Sequence, residues 1–175
     1  RLAAPLFLVL LLAGCASRQP DVSYKFVVFG DSQFHSRPTF EKLVREAEVL
    51  KPDLALHVGD MIIGYVYSPD SVRIQWDKFK EQIAPLSAPF YPTPGNHDIT
   101  FEEVVPVYAE VWGRRPFYYS FDHKNSHFIV LSAIEPKASE SISDEQFEWL
   151  REDLEDHGDA EAIFVSLHPP LYRNN

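Results

Sequence analysis

Four short apolar runs in this chain each stop at chemically similar residues, and this constrains the fold more than any other feature. Residues 24–29 (YKFVVF) end at Gly30-Asp31-Ser32-Gln33, and 53–58 (DLALHV) at Gly59-Asp60. Residues 89–93 (PFYPT) end at Pro94-Gly95-Asn96-His97-Asp98, and 162–167 (AIFVSL) at His168-Pro169-Pro170. The runs have the length and the β-branched and aromatic content of strands. The glycines let the backbone turn sharply where a strand stops. Between them the hydrophobic spacing changes to that of helices. Pro38 opens one over 38–50, with Phe40, Leu43, Val44 and Ala47 on one face. Pro69 after Ser68 opens a second, carrying Ile74, Trp76, Phe79 and Ile83. A third is expected over 101–112, kinked by Pro106. Segments 117–121 and 127–131 flank the polar turn DHKN and predict a β-hairpin. Ser143 and Gln146 form a capping box ahead of Phe147, Leu150 and Leu154. Alternation of this kind predicts an α/β fold, and the hairpin makes it a layered α/β sandwich with mixed β-sheets.

In open α/β sheets, ligands bind where the strands end. The expected site is therefore one edge carrying Asp31, Gln33, Asp60, Asn96, His97, Asp98 and His168. Taken singly, each is equally a turn or cap residue. Together they form a donor set of oxygen and imidazole without sulfur, which suits Mn, Fe, Zn or Mg rather than copper(I) or an iron–sulfur cluster.

Charge narrows the function. With 16 basic and 26 acidic residues the formal net charge is -10, which argues against binding to a nucleic-acid duplex. An acidic chain that handles phosphates needs cations to supply the missing positive charge. The single cysteine excludes an internal disulfide framework and a Cys-based zinc cluster.

That cysteine, Cys15, follows an apolar run, LAAPLFLVLLLA, too short to span a bilayer. Residues 1–14 read as a lipoprotein signal peptide, since Leu12-Ala13-Gly14-Cys15 resembles a bacterial lipobox. Residues 15–23 are then the lipidated Cys15 and a polar tether, and 24–175 the folded domain. The expected location is the cell envelope, on a lipid anchor outside the cytoplasm. An ordinary cleavage site with a coincidental cysteine is the alternative.

The blocks Asp31-Ser32-Gln33, Gly59-Asp60, Gly95-Asn96-His97-Asp98 and His168 follow the order of motifs in the calcineurin-like metallophosphoesterases, which this chain resembles. The resemblance implies two divalent metal ions, Mn, Fe or Zn, that activate water and neutralise phosphate oxygens. It implies Asp60 as the bridging ligand, Asp31 and Gln33 on one ion, and Asn96 and His168 on the other. His97 would protonate or stabilise the leaving group, with Asp98 orienting its ring. Phosphomonoesters, phosphodiesters or nucleotide-type diphosphates are the expected substrates. Two departures stand out. Gln33 replaces the family's usual His, and no Gly-His-x-His block follows His168; as the sequence also starts at Arg1 without a Met, both ends are expected to be truncations of a longer product. A non-catalytic metal- or phosphate-binding lipoprotein on the same fold is the competing expectation. A purely structural envelope lipoprotein is a third.

Overall fold

The computed structural model describes residues 23–34, 37–113, 116–134 and 141–170. The signal-peptide and Cys15 expectations lie outside them. The element order is β1 (Phe26–Phe29), a 3-10 turn (Ser32–Phe34), α1 (Arg37–Val49), β2 (Leu54–His57), α2 (Pro69–Ile83) and β3 (Phe90–Pro92). It continues with α3 (Val105–Trp112), β4 (Tyr119–His123), β5 (Ser126–Val130), α4 (Asp144–Asp156) and β6 (Ala162–Ser166). Among the described residues no helix is long and apolar enough to cross a membrane.

The strands form two sheets. β1, β2 and β3 run parallel in that order. In the second sheet β5 pairs antiparallel with β4 and parallel with β6. The expected mixed sandwich is therefore one parallel sheet against one mixed sheet. Period-2 alternation decides which side chain faces where. Leu54 and Leu56 of β2 turn toward Phe128 of β5, with Tyr24, Phe26, Tyr91 and Phe121 packed around them. Tyr91 and Phe121 stack across this interface at 3.7 Å. The opposite face of β2 presents His57 to the rings of Phe40 and Phe79, in the larger core beneath α1, α2 and α3. On the far side of the second sheet, α4 sits over β4 and β5 through Ser120–Asp153 and His127–Asp153 contacts.

Local signals explain most boundaries. The Ser68 side chain accepts a hydrogen bond from Ser71 N at 3.3 Å and caps α2. Pro106 does not kink a longer helix: α3 begins at Val105, so the proline sits in its first turn, where its missing N–H costs nothing. The hairpin loop tightens to Lys124 and Asn125, between the paired His123 and Ser126. The capping box forms by half. Ser143 Oγ accepts from Gln146 N at 3.2 Å, but the Gln146 side chain does not turn back. Its amide is buried and grips both backbone groups of Ser132, at 2.8 and 2.7 Å, tying α4 to the segment after β5.

His57 is buried in this core with a pKa held down to about 3 from an ordinary 6.5, first by burial, then by the His168 charge and against the pull of Asp60. Ser32 Oγ lies 3.0 Å from its Nε2. The unfolded chain binds this proton near pH 6.5 while the fold refuses it. The contribution is therefore complete above pH 6.5 and is lost as pH falls toward 3. At about 1.4 kcal/mol per unit the full loss is on the order of 5 kcal/mol. Metal-free protein should lose stability steeply between pH 6.5 and 4 in urea titrations. His57→Gln, which does not titrate, should flatten that slope; an unchanged slope would refute the assignment.

Candidate metal centre

Register builds the site. Phe29, His57 and Pro92, the last residues of three parallel strands, lie side by side. The following segments therefore leave one edge together. The ladder continues past the strands, with Asp31 N donating to Gly59 O at 3.1 Å and Gln33 N to Asp60 O at 3.2 Å. Ser166 of β6 joins the same edge through a 2.6 Å contact between its hydroxyl and that of Thr93, which delivers His168. Asp31 and Asp60 both adopt left-handed backbone, at φ 51° and 61°. For a non-glycine residue this costs about 1–2 kcal/mol and is typical of functional sites. Close packing explains two of the glycines. A Cβ on Gly95 would stand 2.2 Å from Asp60 Oδ1, and one on Gly59 2.5 Å from the His168 ring.

Asp60 is the hub. Its Oδ1 accepts from His97 N at 3.0 Å and lies 3.4 Å from His168 Nε2. Its Oδ2 accepts from Gln33 Nε2 at 2.9 Å. Burial raises the Asp60 pKa, but the contacts with His168 and His97 outweigh it and hold the carboxylate below its usual range. His168 donates from Nδ1 to Val58 O at 2.9 Å, which aims Nε2 at Asn96 Oδ1, 3.1 Å away. Burial works against a proton on this ring, but Asp60, Val58 O and Asp31 carry its pKa to about 9. Asp31, Asp60 and His168 each offer one ligand atom within a 4.8 Å cluster. Gln33 Oε1 is buried with no hydrogen-bond partner. A buried acceptor left in that state costs about 1–3 kcal/mol, and a cation beside it removes the cost. The residues present thus fit a divalent-metal site, and Gln33 fits it through its amide oxygen.

His97 lies beside Asp60 as expected, but Asp98 is placed differently from expectation. His97 Nδ1 lies 2.5 Å from Ile63 O and so donates to it, leaving Nε2 3.8 Å from Asp60 Oδ2. Asp98 does not orient that ring. It is fully buried, and both its oxygens go to backbone N–H groups: Met61 and Ile62 at 2.8 and 3.2 Å on Oδ1, Asp60 and Gly95 both at 2.9 Å on Oδ2. The expectation failed because Asp98 points back beneath the loop after β2, away from the histidine beside it in sequence. Burial pushes its pKa up to about 7, opposed by these N–H donors and assisted by the Asp60 charge.

The fold is similar to that of a dimetal phosphatase from Danio rerio, whose solved structure aligns with a TM-score of 0.67 over 87% of this chain and 71% of that one, at 14% identity. At that identity the likeness speaks for the fold. A family model for calcineurin-like phosphoesterases matches residues 24–175. The chain belongs to that family. Acid phosphatase type 7 of Danio rerio is 27% identical over 86% of the chain. A probable glycerophosphodiester phosphodiesterase of Arcobacter nitrofigilis is 27% identical over 69% of it. Purple acid phosphatase 15 of Arabidopsis thaliana is 32% identical over 85% of it. The matches span 36%, 43% and 33% of these relatives, so this calcineurin-like domain corresponds to less than half the length of each. Family membership implies a dinuclear divalent centre.

Within this domain Asp31, Gln33, Asp60, Asn96 and His168 are the residues that would hold the ions. Sequence reasoning passed over two features of the site. One is the strained Gly64-Tyr65 step, which brings the Tyr65 hydroxyl to Asn96 at 2.9 Å. The other is the Ser32–His57 pair below the first loop. No sequence signal marks either. A second histidine cluster lies far from the edge. His127 sits between Asp122 and Asp153 at 2.7 and 2.8 Å and stacks on His157 at 3.8 Å and 12°. Parallel rings point their in-plane lone pairs in parallel directions, so the two do not converge on one ion. The cluster is a hydrogen-bonded histidine clamp between β4, β5 and α4. Burial opposes the His127 proton, but the two carboxylates outweigh it and raise its pKa.

Proposed function

We propose that this domain carries the metal-binding core of a phosphohydrolase acting on phosphomonoesters, phosphodiesters or nucleotide-type diphosphates. One observation carries the reading: Asp60, Asn96, His168 and the unpartnered Gln33 oxygen meet at a single strand edge, with the His97 imidazole beside them. The relatives' names, phosphatases and a phosphodiesterase, support the substrate class.

Bound divalent ions would supply water activation and charge neutralisation at the phosphate. The chain's own residues do the rest. With Asp31 and Asp60 at its centre, and a chain charge of -10, the edge repels a bare phosphate, so substrate entry depends on cations. Asp60 is held by three neighbours and cannot rotate away. His97 donates at Nδ1 to Ile63 O, so any proton it gives up leaves from Nε2, on the Asp60 side. That is the position from which a leaving-group oxygen would be protonated.

The test uses the full-length gene product. Metal-free protein should be inert toward aryl phosphate, bis-aryl phosphate and nucleotide diphosphate esters. Mn²⁺, Fe²⁺ or Zn²⁺ should restore turnover on at least one of them. Metal uptake without turnover on any would replace this reading with that of a non-catalytic binding module. Neither uptake nor turnover would remove both.

A further inference from the structure

Tyr65 is placed at a cost that packing does not explain. The residue is 55% exposed, so it contributes little to the core. Its backbone is left-handed at φ 52°, a conformation that a non-glycine residue adopts only under strain. Gly64 before it is also left-handed at φ 59°, and a Cβ there would fall 1.8 Å from the His97 carbonyl oxygen. The loop therefore presses directly against the His97 backbone, and hydrogen bonds hold it there. Gly64 N donates to Gln75 Oε1 of α2 at 2.9 Å, and Tyr65 N to Thr100 Oγ1 at 3.3 Å. Thr100 Oγ1 donates in turn to Asn96 O at 2.8 Å. At the other end of Tyr65 the phenol accepts from Asn96 Nδ2 at 2.9 Å, and its ring meets the His97 ring edge-on at 4.5 Å. Asn96 is thus gripped twice by this circuit, at its carbonyl through Thr100 and at its amide by the Tyr65 hydroxyl.

The second grip decides the chemistry. The two ends of an asparagine amide have nearly the same shape and opposite character: the oxygen has lone pairs for a cation, whereas the nitrogen carries only donors. Asn96 Oδ1 faces His168 Nε2 at 3.1 Å because Nδ2 is engaged on the far side. When His168 Nε2 gives its lone pair to an ion, it no longer donates to Oδ1. Among the described residues the phenol is then the group that still tells the amide which way to point. We propose that Tyr65 is a positioning residue of the metal centre, fixing the Asn96 amide with its oxygen toward the ion shared with His168. The proposal rests on the metal-centre reading above.

The experiment is calorimetric titration of Mn²⁺ into the metal-free full-length protein, comparing wild type, Tyr65→Phe and Tyr67→Phe. Losing a partner that orients a ligand typically costs about 10–100-fold in metal affinity. Tyr65→Phe should weaken one binding step by that factor and leave the other within about twofold. Tyr67→Phe, an exposed aromatic stacked on Phe101 in the same loop, should leave both steps unchanged. The thermal midpoint of metal-free Tyr65→Phe should stay close to that of wild type. Two unchanged steps in Tyr65→Phe overturn the proposal. So does an equal loss in Tyr67→Phe, or a loss of both steps with a lowered metal-free midpoint, which would make the residue structural. Absence of any Mn²⁺ step in wild type would sink the metal-centre reading itself, a distinct result.

Discussion

Asp98→Ala should destabilise this protein more than any other single change beside the site. The substitution leaves four backbone N–H groups, those of Asp60, Met61, Ile62 and Gly95, facing a cavity instead of a carboxylate. Above pH 7, where Asp98 is ionised, each hydrogen bond to the charged acceptor contributes about 1.5–3 kcal/mol, and they share one side chain, so the values do not add fully. A loss of about 3–5 kcal/mol matches what removing one member of a buried charged network costs. For a domain of this size that corresponds to a thermal midpoint lower by roughly 10 °C. Asp98→Asn keeps the shape but turns one oxygen into a donor facing two N–H groups, so it should fall between wild type and alanine. Both variants should also bind metal more weakly, because the carboxylate links the loop carrying Asp60 to the loop carrying Asn96. Differential scanning calorimetry and metal analysis on the same samples check this. Unaltered midpoints would mean that the four N–H groups find other partners.

The second large effect separates two roles that lie within hydrogen-bonding distance of each other. His97→Ala removes the imidazole but keeps the backbone N–H that holds Asp60 Oδ1 at 3.0 Å. Metal content should therefore stay near wild type while turnover of the full-length protein falls about 10²–10⁴-fold, the usual range for a lost general acid. The drop should be largest for alkyl phosphates and smallest for nitrophenyl esters, whose leaving group needs little protonation. Asp60→Ala should abolish both metal uptake and turnover, since the carboxylate is shared by the Gln33, His97 and His168 contacts. Full activity in either variant would exclude the mechanism proposed here, and a leaving-group-independent loss in His97→Ala would exclude its role as an acid.

Much of this arrangement was readable from residue order because it depends on local rules. A glycine after an apolar run marks where a parallel strand stops, and three such stops in register place their loops on one edge. The Ser68-Pro69 start of α2 was legible for the same reason, since cap and first turn are neighbours in sequence. What was not legible depends on contacts across loops. Asp98 adjoins His97 in the chain, yet its side chain belongs to the loop after β2. Pro106 looked like a kink because the spacing of Phe101 to Trp112 does not show where the first turn begins. Gln146 satisfied half of a local capping rule, and its amide went to Ser132 because a buried strand end had unpaired backbone groups. The contact of Tyr65 with Asn96 was not legible: an exposed tyrosine gains this meaning only when its hydroxyl is seen to meet a particular amide.

Among Asp31, Gln33, Asp60, Asn96 and His168, the last alone is delivered by the second sheet, while the others hang from the first. On the assignment proposed above, an ion held between Asn96 and His168 would be a rivet through the sandwich, resisting any sliding of one layer over the other. Because it binds the assembled layers and not the open chain, each increase in free metal tightens the protein, by about 2.7 kcal/mol at one hundred times the dissociation constant. Metal scarcity would then act twice, emptying the proposed metal site and loosening the sandwich toward proteolysis, so that the amount of protein as well as the proposed activity would track the supply of ions.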